Sequence, residues 1–340
     1  MPPKKPKESP DSNTPNLQDF LSSKFKDNVF STPSTLLPLT RLPSGIPSID
    51  YLLGGGLPLG RVVQLFGHPS CGKSSISLFI SSYLLRHSLT PAVLYIDVER
   101  TLLPSYISKM GLVPPISDNL ICSSPMYGED ALTMATEAAA HAKLVILDSI
   151  AELLPRSVLE KLKEDPDYKA PIGTLANLIK TYCQPLRESF YLNQSCFFIL
   201  NQVRDNIEYK GVHSPGGNSL RHLLAVNLHV LNTNTTAKEG GKLLITIRTD
   251  KNNIATAGLS TELLLEYGVP NVYQSLLSEC RRFNLVTLTG SWYNFSPDTA
   301  QALGLESVKL GQGIENSSSI LQENPSLYSS LYSYFLSSCF

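Results

Sequence analysis

The sequence predicts an α/β protein built on a mixed, mainly parallel twisted sheet flanked by helices, with a small α+β domain after it. Three apolar runs have the composition of parallel strands that are buried on both faces. These runs are residues 92–97, 143–148 and 196–200. Three later strand-like runs, joined by polar turns, favour an antiparallel edge on the same sheet. They are residues 225–231, 243–250 and 261–267.

Length and composition indicate a soluble, cytoplasmic protein. The chain has 340 residues, of which 42% are hydrophobic, so it can bury a large core. We find no apolar run of membrane-spanning length and no signal-peptide core at the N-terminus. The net charge of −1 neither requires nor excludes a nucleic-acid partner. The 6 cysteines form no C-x-x-C pair, which argues against a zinc site and a disulfide framework.

Composition also divides the chain into three predicted regions. Residues 1–43 form a basic, Pro-rich tail with a short helix, residues 44–268 a nucleotide-binding core, and residues 269–340 a small C-terminal domain. Asn16 is the predicted N-cap of the helix. Its apolar face consists of Leu17, Phe20, Leu21 and Phe25. Such a tethered helix packs either on another copy of the chain or on its own domain.

The most specific motif is a phosphate-binding loop, or P-loop, between a predicted strand and a predicted helix. Residues 67–74 match G-x-x-x-x-G-K-[ST], after strand-like residues 61–66 and before helix-like residues 75–85. This arrangement directs backbone N–H groups and the positive end of the helix dipole at one point, where a polyphosphate binds. The predicted nucleotide ligands are Gly67, His68, Pro69, Ser70, Cys71, Gly72, Lys73, Ser74 and Ser75. Lys73 would reach the outer phosphates, and the Ser74 hydroxyl would hold Mg²⁺.

Two carboxylates follow predicted parallel strands. Glu99 comes just after the run 92–97, and Asp148 ends the run 143–148. Because ligands of open α/β sheets bind outside the carboxyl ends of the strands, both side chains are expected near the P-loop. Glu99 is the candidate general base for water that attacks the γ-phosphate, and a surface salt bridge is its alternative role. Asp148 is the candidate partner of Ser74 in holding Mg²⁺.

Several ordered motifs accompany residues 44–60 and the P-loop. These motifs are residues 94–99, 147–149, 200–204, 216–218, 290–293 and 309–313. In these motifs, and from about residue 40 onward, the chain resembles the bacterial RecA recombinases. The resemblance implies a DNA-dependent ATPase that uses ATP and Mg²⁺, forms helical filaments on single-stranded DNA and pairs that strand with duplex DNA. It also supports the general-base role of Glu99, and it implies that the ring of Tyr106 stacks on adenine.

Gln202 ends the third predicted strand and has the chemistry of a γ-phosphate sensor. Its uncharged amide can donate to a phosphate or to the attacking water and let go after hydrolysis, whereas the alternative is a hydrogen bond to backbone. The resemblance implies that Gln202 begins a mobile loop that contacts single-stranded DNA. Cations and glycines in this region suit such contact. The candidate DNA-binding residues are Arg204, Asn206, Tyr209, Lys210, Gly216, Gly217, Asn218 and Arg221. A second charged segment, residues 156–169, is a further candidate for DNA contact. A solvated helix end explains its charges equally well.

Some positions depart from the family pattern. Leu103 stands where relatives usually have an acid that accepts a hydrogen bond from adenine. The resemblance implies that two lysines reach a neighbour's ATP across the filament interface; Lys251 fits the first position, but Asn253 replaces the second. Losing one cation should weaken transition-state stabilisation.

The C-terminal region also departs from the family. Residues 269–340 carry three basic and five acidic residues, a balance that does not favour a duplex-binding surface. Trp292 and Tyr293 are predicted to lie in the core of this domain. The apolar residues 334–340 are expected to pack on the domain or on a partner.

Two alternatives to a recombinase remain open at the level of sequence. The first is a weakly hydrolysing paralogue that binds ATP and regulates another recombinase's filament. Asn253, Leu103 and the acidic C-terminal region favour it, whereas the intact Lys73, Glu99, Asp148 and Gln202 oppose it. The second is another motor on the same core, such as a ring helicase or a branch-migration factor. The lack of a zinc-type cysteine cluster and the resemblance of the C-terminal segment to RecA argue against it.

Overall fold

The computed structural model describes residues 17–25, 36–205, 212–213, 215–231 and 241–340. The chain divides into two compact units, residues 1–39 and 40–340. In the first unit, helix α1 spans Leu17–Lys24, where the apolar N-terminal helix is predicted. The predicted cap Asn16 lies outside the described residues.

The second unit contains the remaining described elements. Its strands are β1 Arg41–Leu42, β2 Leu57–Pro58, β3 Arg61–Gly67, β4 Val93–Asp97, β5 Leu120–Ser123, β6 Leu144–Asp148, β7 Cys196–Gln202, β8 Arg204–Asp205, β9 Val212–His213, β10 Val226–Leu231, β11 Lys242–Asn252, β12 Ser260–Glu266, β13 Val269–Pro270, β14 Val286–Thr289, β15 Trp292–Phe295 and β16 Lys309–Gln312. Its helices are α2 Pro47–Leu53, α3 Lys73–Arg86, α4 Pro104–Lys109, α5 Gly128–Ala138, α6 Arg156–Glu164, α7 Thr174–Asn193, α8 Gly217–Leu223, α9 Val272–Arg282, α10 Pro297–Ala302, α11 Ile314–Glu323 and α12 Pro325–Cys339.

A large mixed sheet forms the centre of this unit. In the described part of the chain it has nine strands in the order β13-β12-β11-β10-β3-β7-β6-β4-β5. The six strands from β10 to β5 run parallel, and β11, β12 and β13 complete an antiparallel edge. The predicted mixed, mainly parallel sheet is therefore confirmed.

Alternate residues of the parallel strands supply two hydrophobic cores, one on each face of the sheet. Phe198 and Leu200 of β7 belong to the core that includes the apolar residues of α3. Phe197 and Ile199 belong to the core formed with α5 and α7, where the Phe197 ring stacks on Phe190 at 4.9 Å. This alternation follows from the two-residue period of a strand. The near-continuous apolar composition of these strands follows from burial on both faces.

The small C-terminal domain is built on the three-stranded antiparallel sheet β14-β15-β16 with helices α9 to α12. Tyr293 is buried, as predicted, but the prediction that Trp292 lies in the core is wrong, because Trp292 is 44% exposed. The two residues are adjacent on β15, so their side chains point to opposite faces of this sheet. The Trp292 ring lies 5.8 Å from the Lys309 ammonium group. The predicted domain boundary at residues 268 and 269 stays a prediction.

Helix α12 packs on the second unit itself, which is one of the two outcomes expected for the apolar C-terminal segment. The Phe335 side chain is fully buried, and the Phe340 ring lies 5.6 Å from it. The Tyr332 hydroxyl donates a hydrogen bond to the Asp50 carboxylate and accepts one from the Gly45 N–H at 3.1 Å. Burial raises the pKa of Asp50 to about 7. Helix α12 is thus fastened to α2, which precedes the P-loop strand.

Within the residues described, no helix combines the length and the apolar character that a membrane span requires.

Candidate active site

The P-loop joins the end of β3 to the start of α3 at the carboxyl edge of the parallel strands. A Cβ atom on Gly67 would lie 2.6 Å from the carbonyl oxygen of Val230, so this position excludes a side chain. Gly72 has a φ of 91°, and a Cβ atom there would lie 2.3 Å from Leu265 Cδ1. Gly72 therefore permits the tight turn that leads into α3, and Gly67 permits the close approach of β10 to the end of β3. As a result, the N-terminal N–H groups and the dipole of α3 are available to a phosphate.

A cavity of about 270 Å³ lies against the start of α3. Its lining residues are Ser70, Gly72, Lys73, Ser74, Ser75, Tyr106, Leu243, Leu265 and Gly268. Tyr106 and Ser75 share a hydrogen bond between their hydroxyl groups, which holds the tyrosine ring beside the P-loop. The structure thus brings Tyr106 to the predicted nucleotide site, and its stacking on adenine stays a prediction. Leu103 is 61% exposed and does not line this cavity.

Lys73 is a buried cation held by the loop that precedes it. Its ammonium group donates hydrogen bonds to the carbonyl oxygens of Gly67, at 3.1 Å, and His68, at 2.8 Å. In the part of the chain that the structure describes, it pairs with no carboxylate. An anion that enters the cavity would therefore meet a positive charge without a competing acid.

Ser74 and Asp148, the predicted magnesium ligands, are in direct contact. The Ser74 hydroxyl donates to Asp148 Oδ2 at 2.7 Å, and the Tyr95 hydroxyl donates to the same oxygen at 2.6 Å. Burial raises the pKa of Asp148; the two hydrogen bonds oppose this rise, and nearby Glu99 and Asp97 add to it. A hydroxyl and a carboxylate are hard oxygen ligands, which suit Mg²⁺ held jointly with substrate phosphates. The donor set therefore fits magnesium.

Tyr95 was missed by reasoning from sequence, although its position offered a signal. It is two residues before Asp97 in a strand, and β4 lies beside β6 in the sheet. A strand directs such residues to the same face. The hydroxyl of a buried tyrosine requires a hydrogen-bond partner. For Tyr95 this partner is Asp148, at the end of the neighbouring strand β6.

Glu99 and Gln202 form a hydrogen bond with each other. Gln202 Nε2 donates to Glu99 Oε1 at 2.8 Å. Gln202 is also the sheet partner of Gly67, so the amide lies next to the start of the P-loop. The Asp97 carboxylate accepts the N–H groups of Thr101 and Leu102, which fixes the turn that carries Glu99. The candidate base and the candidate sensor are thus brought together beside the phosphate site.

A ladder of buried amides, also missed from sequence, supports Gln202. Asn201 donates to Gln64 Oε1 at 3.1 Å and to the Pro215 carbonyl at 2.9 Å, and it accepts the Gln202 N–H. Gln64 in turn donates to Asn227 Oδ1 at 2.8 Å. The signal in the sequence was a polar residue within two of the predicted strand runs, Gln64 and Asn227, and another directly after a third, Asn201. The ladder connects β7, which ends in Gln202, to Pro215, the first residue after the candidate DNA-binding loop, residues 205–214.

The candidate DNA-binding residues are only partly described. β8 and β9 pair as a short antiparallel hairpin. Asn206, Tyr209 and Lys210 lie outside the described residues, and so does the side chain of Arg204. Gly216 and Gly217 have positive φ angles of 108° and 61° at the start of α8. Asn218 and Arg221 are exposed on that helix.

Lys251 does not lie with Glu99 and Gln202. Its ammonium group donates to the carbonyl oxygens of Arg221, at 2.8 Å, and Leu224, at 2.6 Å. Leu224 lies two residues before β10, at the amino edge of the parallel strands, whereas the P-loop lies at their carboxyl edge. Within one chain Lys251 and the P-loop are thus apart. Its action on a neighbour's ATP stays a prediction.

The charged segment 156–169 forms α6 in part. Arg156 makes a salt bridge of 3.0 Å with Asp130, and its guanidinium lies 3.7 Å from the centre of the Tyr127 ring. One of the cations considered for DNA contact therefore has partners inside the chain.

Comparison with known proteins identifies similar sequences. The family model of the RecA N-terminal domain matches residues 29–269. The protein named Protein RecA from Lactobacillus acidophilus (strain ATCC 700396 / NCK56 / N2 / NCFM) is 28% identical over 301 residues. The matched region covers 85% of this chain and 77% of that protein.

Proposed function

The chain belongs to the RecA family, and from that premise we propose that it is an ATP-dependent recombinase that assembles as a filament on single-stranded DNA. The filament pairs the bound strand with homologous duplex DNA and promotes strand exchange in DNA repair. No base-specific contact by the protein is needed, because the bound strand supplies its own sequence by pairing.

The hydrogen bond between Glu99 and Gln202 is the observation that carries this proposal. The residues come from the ends of two different strands and meet beside Gly67 of the P-loop. A base that activates water and an amide that detects the γ-phosphate must lie at this point in a nucleotide hydrolase of this design. The amide nitrogen carries two hydrogens, so it can donate to the phosphate as well as to Glu99.

Each residue of the site has a defined task in hydrolysis. Lys73 exchanges its two loop carbonyls for oxygens of the β- and γ-phosphates, and the N–H groups at the start of α3 hold the same phosphates. Mg²⁺ at Ser74 and Asp148 would offset the charge of the phosphates. Glu99 accepts the proton of the attacking water. Tyr106 lines the cavity in which the adenine ring of ATP binds.

The coupling to DNA runs through the end of β7. The N–H of Val203, the next residue after Gln202, donates to the Gly67 carbonyl at 3.2 Å. Asn201 reaches Pro215 on the far side of the loop. A movement of Gln202 towards the γ-phosphate therefore acts on both ends of the candidate DNA-binding loop.

The weakly hydrolysing paralogue is the second candidate function. One specific observation favours it, because the exposed Asn253 brings no positive charge to the region of Lys251. Under this alternative the chain binds ATP and joins or regulates the filament of another recombinase.

ATP turnover by the purified protein, with and without single-stranded DNA, distinguishes the two functions. For a recombinase we expect strong stimulation by DNA and loss of turnover in Glu99→Gln, which keeps the size of the side chain and removes the base. If ATP binds but turnover with DNA stays at the level of Glu99→Gln, the paralogue function replaces the recombinase. Strand exchange between a single strand and a labelled duplex is then the next assay of the recombinase.

A further inference from the structure

Three cations from different elements gather at the C-terminal end of α8. Lys251 of β11 donates to the carbonyls of Arg221 and Leu224. The Arg187 guanidinium, on α7, donates to the carbonyl of His222 at 3.0 Å. Arg221 itself lies in the last turn of α8. The negative end of the helix dipole explains why two side chains converge on these carbonyls.

The cluster carries more positive charge than its surroundings neutralise. Burial lowers the pKa of Lys251, and the charges of Arg221 and Arg187 lower it further. Within the described residues, none of the three cations forms an ion pair with a carboxylate. The partial charge at a helix end, about half an elementary charge, is smaller than that of a single cation. The cluster is therefore suited to bind an anion with several negative charges.

A cavity of about 690 Å³ adjoins this cluster. Arg187, Arg61 and His222 line it, together with Asn253 and one acid, Glu188. Arg187 and Asn253 are both exposed and share this cavity. Asn253 contributes no charge to the cavity, whereas Arg187 brings a guanidinium, whose planar fork suits a terminal phosphate.

The ligand of this cavity is not the ATP of the same chain. Ala225 and Val62, which line the cavity, are joined by a backbone hydrogen bond of 2.9 Å at the amino end of β3. Gly67 lies at the other end of this strand, roughly 17 Å away at the usual rise per residue. A phosphate in the cavity therefore belongs to a second molecule.

We propose that Arg187 binds the ATP held by the P-loop of a second copy of this chain, together with Lys251, and supplies the charge that Asn253 lacks. This inference rests on the proposed function, because it requires copies that assemble with ATP between them. The guanidinium groups of Arg61 and Arg187 line this cavity, and a planar guanidinium can bind two oxygens of a terminal phosphate at once.

Arg187→Gln tests the proposal by DNA-stimulated ATP turnover and by ATP-dependent assembly in sedimentation. We expect turnover to fall about tenfold or more, as when one donor to a developing charge is removed. Arg187→Lys should retain part of the activity. In the Arg187→Gln background, Asn253→Lys should restore turnover to within about threefold of the wild type, because it returns a cation to the same cavity.

Arg86→Gln is the matched control. Arg86 also donates to a helix carbonyl, that of Ser82 at 3.3 Å, but lies at the other end of α3 from the P-loop. This variant should keep wild-type turnover and assembly. Melting temperatures of all variants separate a loss of binding from a loss of stability.

Mixing two inactive variants gives the sharpest test. Glu99→Gln copies retain Arg187, and Arg187→Gln copies retain Glu99. An interface that joins one of each can hold a complete site, so the mixture should hydrolyse ATP faster than either variant alone. If turnover does not rise on mixing, Arg187 does not act on a second copy's ATP.

Other outcomes also decide the question. The proposal is overturned if Arg187→Gln matches the wild type in both assays. It is also overturned if Asn253→Lys fails to restore ATP turnover in the Arg187→Gln background. If Arg187→Gln binds DNA more weakly than the wild type in the absence of nucleotide, the cavity binds the DNA backbone and not ATP. If the wild type assembles with ATP but does not hydrolyse it, the catalytic function fails while assembly still tests Arg187. If the wild type does not assemble with ATP, this inference fails.

Discussion

Gln202 donates its side-chain N–H to Glu99 across 2.8 Å, so the candidate sensor and the candidate base are linked directly at the edge of the phosphate site. The amide group of Gln202 has two N–H bonds, so it can donate one to Glu99 and the other to a γ-phosphate. A phosphate bound there would therefore be connected to the Glu99 carboxylate through a single side chain.

Gln202→Ala is expected to separate nucleotide binding from hydrolysis. The alanine removes the amide but leaves Lys73, Ser74 and the P-loop unchanged, so affinity for ATP should stay within about threefold of the wild type. DNA-stimulated turnover should fall about tenfold or more, because the chemical step loses its contact with the phosphate. Gln301→Ala, at an exposed position of α10, is the control. Equal losses of binding and turnover would contradict a sensor role.

Asp148→Asn is expected to raise the requirement for magnesium. The amide oxygen can still accept hydrogen bonds from Ser74 and Tyr95, but it no longer carries the charge that attracts the ion. The Mg²⁺ concentration for half-maximal ATP turnover should rise about tenfold or more.

The substitution Asp148→Asn should also raise the melting temperature, since burial raises the pKa of Asp148 and thus disfavours its charged form. Asp118→Asn, at an exposed position, is the control, and an unchanged requirement in Asp148→Asn would exclude this ligand.

Asp50 is expected to make stability depend on pH. Burial raises its pKa from 3.8 to about 7, so between these values the folded state binds a proton that the unfolded chain releases. The bound proton stabilises the folded state. Its contribution to the free energy of unfolding is fully present below pH 3.8 and is lost as the pH rises to about 7. The free energy of unfolding should change by a few kcal/mol from this group, on the order of 1.4 kcal/mol per unit of pKa shift.

Asp50→Asn tests this dependence by chemical denaturation at a series of pH values. The asparagine is neutral throughout, so the slope of stability against pH should become smaller than in the wild type. At pH 8 the variant should be the more stable protein, provided that its amide keeps the contacts with Ser44 and Tyr332. Parallel pH profiles for the two proteins would show that Asp50 does not titrate on folding.

Features that depend on neighbouring residues were predictable from sequence. The P-loop needs a strand, a tight turn and a helix in succession, and all three are written within residues 61–86. Glu99 and Asp148 were predictable because Asp148 ends an apolar strand and Glu99 comes just after another, and parallel strands end at a common edge of the sheet. The mixed sheet followed from the contrast between continuous and alternating strands.

Features that depend on strand order or on distant packing were not predictable. The amide ladder from Gln64 to Asn201 and Asn227 exists only because β3 lies between β7 and β10, and composition does not give this order. The wrong prediction for Trp292 has a similar cause, since a strand's two faces look alike until its partner is known. The contacts of Lys251 with α8 likewise required the fold.

The contact between Tyr332 and Asp50 joins residues 282 positions apart in the chain. During translation, α2 leaves the ribosome long before α12 is synthesised. The core that α2 shares with α12 therefore cannot be completed until the end of synthesis; it contains Ile46, Ile49, Leu331 and Phe335. The nascent chain therefore carries exposed apolar surface around α2 for most of its synthesis, a state that favours aggregation. The apolar residues of α2 therefore reach their full burial only after the last helix of the chain has been synthesised.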